Sequence, residues 1–315
     1  MSQRFKVVIT DQVFPSIDTE SRLLAGIGAR LEVADGTPED AARRGRDADA
    51  LLNTYLPITD DLLGQLPACK IVARYGIGVD NVDLAAAARR GMVVTNVPDY
   101  SVEEVAVHTL GLLLSLVRRL PEASRLVAGG GWGLDGLRPI RRLSTQRVGL
   151  VGFGRIARQL AGYLTALGGE VVVHDPFIQP GPGIPPLVTL GELLAGCDAV
   201  SLHAPLTPAT QGLIGAAELA AMKQDAVLIN TARGGLVDVD ALIGALRAGR
   251  IRAAALDVLD REPPAGRLPA DLPNLLVTPH MAYYSEESIA ESQRKAATQI
   301  IKVLTGGQPD YPVRP

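Results

Sequence analysis

The chain is poor in cysteine, tryptophan and histidine, with 2, 1 and 4 of these residues among its 315. Cys69 and Cys197 lie far apart and form neither a C-x-x-C motif nor a Cys/His pattern, which excludes a disulfide framework and a zinc finger. The histidines, at positions 108, 174, 203 and 280, have no metal-binding spacing either. We therefore expect no bound metal ion.

The chain also lacks an excess of one charge and a long apolar run. Its 31 Lys and Arg face 34 Asp and Glu, so no positive field attracts nucleic acid or anionic lipid. The longest apolar run, Val105 to Val117, is interrupted by His108 and is shorter than the about 20 residues of a membrane span. A strand predicted from Lys6 leaves no room for a signal peptide. We expect a cytoplasmic protein that binds neither nucleic acid nor membrane.

Short runs rich in Val, Ile and Leu alternate with longer segments of helical periodicity. This pattern is typical of parallel strands joined by crossover helices, and the length favours two domains, so the predicted class is α/β with parallel sheets. The first series of predicted strands is Lys6–Thr10, Arg30–Val33, Ala50–Asn53, Ile71–Tyr75 and Val93–Asn96. The second series is Arg147–Gly152, Glu170–His174, Ala199–His203, Ala226–Asn230, Ala253–Val258 and Leu275–Val277.

Two helices and two irregular segments frame these series. A long helix is predicted at Val102–Leu120, and a glycine-rich connection with the single tryptophan, Trp132, follows it. An amphipathic helix at Glu286–Leu304 is expected to return and pack on the first domain. Pro309 and Pro312 are expected to end the ordered structure.

A dinucleotide motif opens the second series, where an apolar strand leads into Gly152-Phe-Gly154-Arg-Ile-Ala157. Gly152 permits a tight turn, Gly154 lets the backbone approach a pyrophosphate, and a helix predicted at Arg158–Leu167 offers free amides to phosphate. Asp175 ends the next strand 23 residues after Gly152, where a carboxylate binds ribose hydroxyls and repels a 2′-phosphate. These elements in this order predict a Rossmann domain that binds NAD.

Polar residues follow three later strands, at the end where parallel sheets build their sites: Arg233, Glu262 and His280. Reduction of a 2-oxo acid needs a fixed cation near the substrate oxygens and a proton donor for the developing alkoxide. Arg233 offers a planar cation, and His280 exchanges a proton near neutral pH. Glu262 is expected to hydrogen-bond the other ring nitrogen of His280 and to favour the protonated ring.

In this order, the three residues resemble the Arg/Glu/His set of the D-2-hydroxyacid dehydrogenase family. The resemblance covers nearly the whole chain, since residues 74–83 are similar to the substrate-carboxylate loop of the family and residues 96–105 to its interdomain hinge. The chain looks most like the C-terminal-binding protein branch and its bacterial relatives, on the segments 255–258, 273–275 and 278–286. The eukaryotic corepressors of that branch carry Trp where this chain has Tyr283.

The resemblance implies a flavodoxin-like substrate domain of residues 1–98 plus 286–315 and an inserted NAD-binding Rossmann domain of residues 99–285, with the active site in the cleft between them. It also implies a homodimer formed through the helix Val102–Leu120. The substrate residues predicted in this way are Arg74, Tyr75, Gly76, Ile77, Gly78 and Tyr283, with the backbone amides of the glycine loop on the substrate carboxylate. Besides Gly152, Gly154 and Asp175, the predicted cofactor residues are Arg155, Ile156, His203, Pro205, Thr231, Ala232 and Asp257.

The predicted function is NAD-dependent interconversion of a small 2-oxo acid and its D-2-hydroxy acid, with Arg233, Glu262 and His280 as catalytic residues. Two alternatives stay open. One is a corepressor-like protein that senses NAD(H) and recruits peptides with little turnover, and the other is phosphite-type oxidation on the same scaffold. Turnover, and its loss on His280→Ala, distinguishes an enzyme from the binding protein.

Overall fold

The structure is a computed structural model that describes residues 4–264, 266, 268–269 and 272–315. The chain divides into two compact units, which we call the first unit (Met1–Tyr100 with Tyr284–Pro315) and the second unit (Ser101–Tyr283). Both are α/β units with largely parallel sheets, as the sequence predicts. Among the described residues, no helix combines the length and the apolar character that crossing a membrane requires.

The first unit contains a sheet with helices between its strands. Its strands are β1 (Phe5–Ile9), β2 (Ala29–Val33), β3 (Ala50–Asn53), β4 (Ile71–Arg74), β5 (Val93–Thr95) and, near the C-terminus, β12 (Pro312–Val313). Its helices are α1 (Asp18–Ala25), α2 (Pro38–Gly45), α3 (Asp60–Gly64), α4 (Leu84–Arg89) and α11 (Glu286–Leu304). The sheet order β12-β5-β4-β3-β1-β2 is the flavodoxin-like order with one added edge strand. Helix α11 packs against α1 and β4, which confirms that the last helix returns to the first unit.

The added edge strand corrects one expectation. Pro312 and Val313 pair antiparallel with Thr95 and Val94 of β5, so the C-terminal segment is ordered beyond both prolines. Proline is tolerated at this position because an edge strand has one side without ladder hydrogen bonds.

The second unit contains a parallel sheet in the order β11-β10-β9-β8-β6-β7. Its strands are β6 (Arg147–Val151), β7 (Glu170–His174), β8 (Ala199–Leu202), β9 (Val227–Asn230), β10 (Ala253–Leu256) and β11 (Leu275–Val277). Its helices are α5 (Val102–Val117), α6 (Leu120–Ala128), α7 (Arg155–Ala166), α8 (Leu190–Gly196), α9 (Ala216–Ala221) and α10 (Val239–Arg247). A single parallel bridge joins Val173 of β7 to Leu187, which reduces the third strand of a Rossmann sheet to one residue pair. The strand order reverses between β6 and β8, where open α/β sheets bind their ligands.

Two helices of the second unit differ from the predicted ones. The long helix predicted at Val102–Leu120 ends at Val117. If the helix continued, the ring of Pro121 would clash with the carbonyl group of Val117, four residues earlier. The backbone turns at Arg119, which has a left-handed φ of 54°, and α6 follows. The helix after the dinucleotide motif begins at Arg155, three residues earlier than predicted, since Gly154 already forms its N-cap.

Both cysteines lie in the interior, Cys69 in the first unit and Cys197 in the second. Burial raises the pKa of Cys69 to about 12 and the pKa of Cys197 to about 11. Because the thiolate is the reactive form, we expect a chromogenic disulfide reagent at neutral pH to leave both thiols of the native protein unmodified and to titrate both in denaturant. Rapid native labelling would contradict this burial.

Candidate functional site

The turn between β6 and α7 has the shape that a dinucleotide needs. Gly152 has a left-handed φ of 89°, and a Cβ atom there would lie 2.8 Å from the backbone carbonyl group of His203. At Gly154, by contrast, a Cβ atom would meet no heavy atom within 4 Å, so open space lies in front of the N-terminus of α7. A helix N-terminus behind open space fits a bound pyrophosphate.

Asp175, directly after β7, is tied to this turn. One of its carboxylate oxygens accepts a hydrogen bond of 2.9 Å from the amide of Phe153, and the other accepts one of 2.9 Å from the amide of Phe177. A carboxylate oxygen has two lone pairs, so each can still accept a ribose hydroxyl. The residues of the turn and Asp175 therefore fit NAD.

The other predicted cofactor residues of this region differ in exposure. Arg155 is exposed in the first turn of α7, while Ile156 is half-buried and packs against the sheet core. The amide of His203 donates to the carbonyl of Val151 at 2.7 Å, which places His203 beside Gly152. Burial lowers the pKa of His203 to about 4, so its ring is neutral at physiological pH. Pro205 is exposed two residues further on.

Arg233 follows β9 in a turn that is organised by a buried amide. Asn230 donates from its side chain to the carbonyl of Arg233 at 2.8 Å and accepts from the amide of Ala232 at 3.0 Å. The hydroxyl oxygen of Thr231 lies 2.7 Å from that of Thr109 on α5. Asn230 thus holds the backbone of this segment, and Thr109 holds the side chain of Thr231.

The residue after Arg233 brings two loops together. Gly234 packs so closely on the backbone of Leu259 that any Cβ atom there would overlap it. The amide of Leu259 in turn donates to Glu262 at 2.8 Å. Sequence reasoning did not identify Gly234 as a functional residue, although the glycine pair behind Arg233 is a visible signal of close backbone approach.

Glu262 and His280 form the predicted pair. The Nδ1 atom of His280 lies 2.6 Å from a carboxylate oxygen of Glu262. Burial alone would raise the pKa of Glu262, but hydrogen bonds from His280 and from the Leu259 amide, together with the charge of Arg233, hold this pKa below its usual value. The ring of Tyr283 stands edge-on to the His280 ring, with centroids 6.2 Å apart. Arg233, Glu262, His280 and Tyr283 are therefore brought to one region of the second unit.

The backbone of His280 is in the left-handed region, with φ of 52°, which a non-glycine residue rarely adopts. Its amide donates to the carbonyl of Asp257 at 2.8 Å. The carboxylate of Asp257, a residue only 2% exposed, accepts from the amides of Met281 and Ala282 at 3.0 and 2.9 Å. The hydroxyl of Thr278 donates to the same carboxylate at 2.5 Å. Asp257, a predicted cofactor residue, thus also organises the turn that presents His280.

The predicted carboxylate loop belongs to the first unit. The Nε atom of Arg74 donates to Asn81 at 2.7 Å, and the guanidinium packs so tightly behind Gly76 that a side chain there would clash. Within the described part of the chain, the amides of Gly76, Ile77 and Gly78 donate no hydrogen bond. These half-buried amides remain available to an anion.

The prediction of Tyr75 as a substrate residue is wrong. Its side chain is 1% exposed, and its ring packs at 4.9 Å, edge to face, against Phe14. Its hydroxyl donates to the buried Glu20 at 2.7 Å, and its carbonyl accepts from Ser292 of α11 at 2.7 Å. Burial raises the pKa of Tyr75 far above its usual value. Tyr75 is a core residue under the loop, because the helices of the first unit cover its side of the sheet.

Comparison with known proteins bears on the second unit in particular. Residues 110–282 match the family model described as D-isomer specific 2-hydroxyacid dehydrogenase, NAD binding domain. A D-lactate dehydrogenase from Aquifex aeolicus, solved with NAD and lactic acid, has a TM-score of 0.87 and 27% identity, and the match covers 96% of each chain.

Two curated relatives are similar over most of this chain. The glycerate dehydrogenase of Methylorubrum extorquens is 40% identical over 261 residues, which are 80% of this chain and 82% of that protein. The D-3-phosphoglycerate dehydrogenase of Methanocaldococcus jannaschii is 36% identical over 307 residues, which are 96% of this chain. The chain spans only 58% of the length of that second relative.

The same substitution should have different effects at the two glycines of the dinucleotide turn, on stability at one and on NADH binding at the other. Gly152→Ala places a Cβ atom in a left-handed position against the backbone of His203, so we expect a lower melting temperature. Gly154→Ala meets no protein atom, so we expect an unchanged melting temperature but weaker NADH binding, because the methyl group occupies the open space. Thermal melts and NADH fluorescence titration measure both effects. Normal NADH affinity in Gly154→Ala would contradict a pyrophosphate at this turn.

Proposed function

Because the chain belongs to the D-isomer specific 2-hydroxyacid dehydrogenase family, we propose that it is an NAD-dependent dehydrogenase that interconverts a small 2-oxo acid and its D-2-hydroxy acid. The observation that carries the proposal is the 2.6 Å hydrogen bond between Glu262 and His280, in the region of the second unit that also contains Arg233. A cation, a carboxylate and an imidazole are the groups that this reaction requires.

Bound NAD supplies the hydride acceptor, and NADH the hydride donor. Arg233 binds the substrate oxygens and stabilises the negative charge that develops on the carbonyl oxygen during reduction. His280 donates a proton to that oxygen from Nε2, since Nδ1 faces Glu262, and takes the proton back during oxidation. Glu262 keeps the imidazole ring in one orientation through the hydrogen bond at Nδ1.

The remaining site residues receive roles in the same proposal. Gly152, Gly154, Arg155 and Ile156 form the pyrophosphate turn, Asp175 binds the adenosine ribose, and His203, Pro205, Thr231, Ala232 and Asp257 line the cofactor. A carboxylate at the ribose favours NAD over NADP, because it repels a 2′-phosphate. The amides of Gly76, Ile77 and Gly78, supported by Arg74, bind the substrate carboxylate. Tyr283 borders the substrate beside His280.

A homodimer is the second part of the proposal. The second unit exposes several large apolar side chains on α5, on α6 and in the loop that follows, and a large apolar area of this kind marks an interaction site. These side chains are Val107, Leu120, Val127, Trp132 and Leu134, and we call them the apolar patch. We propose that a second copy of the chain covers the apolar patch.

The test of the reaction is NADH oxidation at 340 nm with a panel of 2-oxo acids: glyoxylate, pyruvate, hydroxypyruvate, 2-oxobutyrate, phenylpyruvate and 3-phosphohydroxypyruvate. We expect turnover of at least one of them, and a loss of about a hundredfold or more in kcat in His280→Ala, because general acid catalysis contributes at least that much. Arg233→Ala should lose substrate binding and rate together. Both variants should bind NADH like the wild type in a fluorescence titration.

The outcomes separate the candidate functions. Turnover that survives His280→Ala within about tenfold would contradict the role of His280 as the proton donor. Tight NADH binding without turnover of any panel member would contradict the proposed reaction and favour the NAD(H)-sensing binding protein. Oxidation of phosphite by NAD, with no reaction of the 2-oxo acids, would favour the other alternative.

The dimer is tested with the single tryptophan, whose side chain is 91% exposed in one chain. We expect the wild type to sediment as a dimer at micromolar concentration with blue-shifted tryptophan emission, because the partner would cover Trp132. Leu134→Asp should shift the protein toward monomer by placing a charge in the patch. Phe177→Ser, at an aromatic residue that is 92% exposed outside the patch, is the matched control and should stay dimeric. A monomeric wild type would contradict the proposal.

A further inference from the structure

His108 lies on α5, outside the set of residues to which the proposed reaction gives a role. Its side chain is 21% exposed and reaches the turn that contains His280. The Nε2 atom lies 3.2 Å from the hydroxyl oxygen of Thr278 and 3.6 Å from the nearer carboxylate oxygen of Asp257. A histidine in an apolar helix is usually a packing residue, but this one contacts two groups that hold the backbone of His280.

The direction of these hydrogen bonds follows from counting protons. A threonine hydroxyl has one proton, and that of Thr278 goes to Asp257 at 2.5 Å. The Nε2 atom of His108 must therefore be the donor toward the Thr278 oxygen, so the ring has its proton on Nε2. His108 supplies the last donor in a chain that runs from α5 through Thr278 to a buried carboxylate.

That carboxylate determines where His280 stands. Asp257 accepts from the amides of Met281 and Ala282, and its own carbonyl accepts from the amide of His280. These bonds wrap the chain around Asp257 and keep His280 in the left-handed conformation, which is unfavourable without such support. Loss of the His108 donor weakens the hold on Thr278 and on the carboxylate, and the turn can then relax.

The next residue of α5 holds the segment that contains Arg233 in a similar way. Thr109 is fully buried, and its hydroxyl donates to the carbonyl of Val105 at 2.6 Å. Its one proton is thereby used, so the 2.7 Å bond with Thr231 has Thr231 as the donor. Two consecutive residues of α5 thus hold the two segments that present His280 and Arg233.

We propose that His108 is a positioning residue for the reaction, which holds His280 in place through Thr278 and Asp257. The proposal rests on the proposed function, because it takes His280 as the proton donor. In this proposal His108 acts through these two residues and not on the substrate itself.

The kinetic test compares variants that remove a donor with variants that keep one. His108→Leu and Thr278→Val should each lower kcat about ten- to hundredfold, because small displacements of a catalytic group have effects of this size. His108→Gln and Thr278→Ser keep the hydrogen bonds and should retain most of the rate. In the double variant of His108→Leu and Thr278→Val, the losses should not multiply, because both act on one network. Melting temperatures identify any variant that fails to fold.

Hydrogen exchange gives a readout that needs no turnover. The amides of Met281 and Ala282 donate to Asp257, so we expect mass spectrometry to show faster exchange there in His108→Leu and Thr278→Val than in His108→Gln and Thr278→Ser. Full kcat in a folded His108→Leu, or unchanged exchange of these amides, would overturn the proposal. A wild type without turnover would overturn the proposed function instead, while the exchange measurement would still decide whether His108 holds the turn.

Discussion

The edge of the second unit that contains Arg233, Glu262 and His280 depends on one buried carboxylate. Asp257 ends up 2% exposed directly after β10, and a carboxylate removed from water is stable only when donors surround it. The donors come from the residues that follow β11, namely the hydroxyl of Thr278 and the amides of Met281 and Ala282. Satisfying Asp257 therefore bends the chain sharply around it, and His280 takes its left-handed backbone at the bend. The hydrogen bonds that stabilise the buried carboxylate of Asp257 therefore also fix the position of the His280 imidazole.

Close backbone contacts at two glycines complete this edge. Gly152 lies against the backbone of His203, and this contact joins the turns after β6 and β8. Gly234 lies against the backbone of Leu259, and this contact joins the turns after β9 and β10. In a parallel sheet, strand ends lie about 4.8 Å apart, so neighbouring turns meet only where no side chain intervenes. The second contact also explains why Arg233 influences Glu262, whose pKa it helps to hold below the usual value.

Much of this arrangement could be predicted from the sequence, because hydrophobic runs locate strands and parallel strands place their following residues at one edge. The strands predicted at Ala50–Asn53, Glu170–His174 and Leu275–Val277 have the observed bounds, and so does α11. What failed depends on contacts distant in sequence. Tyr75 follows a strand like the site residues do, yet Glu20 and Ser292 hold it inside the core. The sequence contains no signal for a role of His108, because its partners, Thr278 and Asp257, come about 150 or more residues later.

The same edge presents three carboxylates to ligands that are themselves anionic, and their donors decide what each can do. Asp175 accepts two amides and keeps lone pairs for hydroxyl groups, which suits a ribose. Asp257 accepts hydrogen bonds from backbone amides and from the hydroxyl of Thr278, so its charge stabilises the local structure. Glu262 pairs with the imidazole of His280 at 2.6 Å, so its charge acts directly on that ring. Hydrogen bonds disperse the negative charge of all three, and in the proposed reaction Arg233 is the cation that the anionic substrate meets.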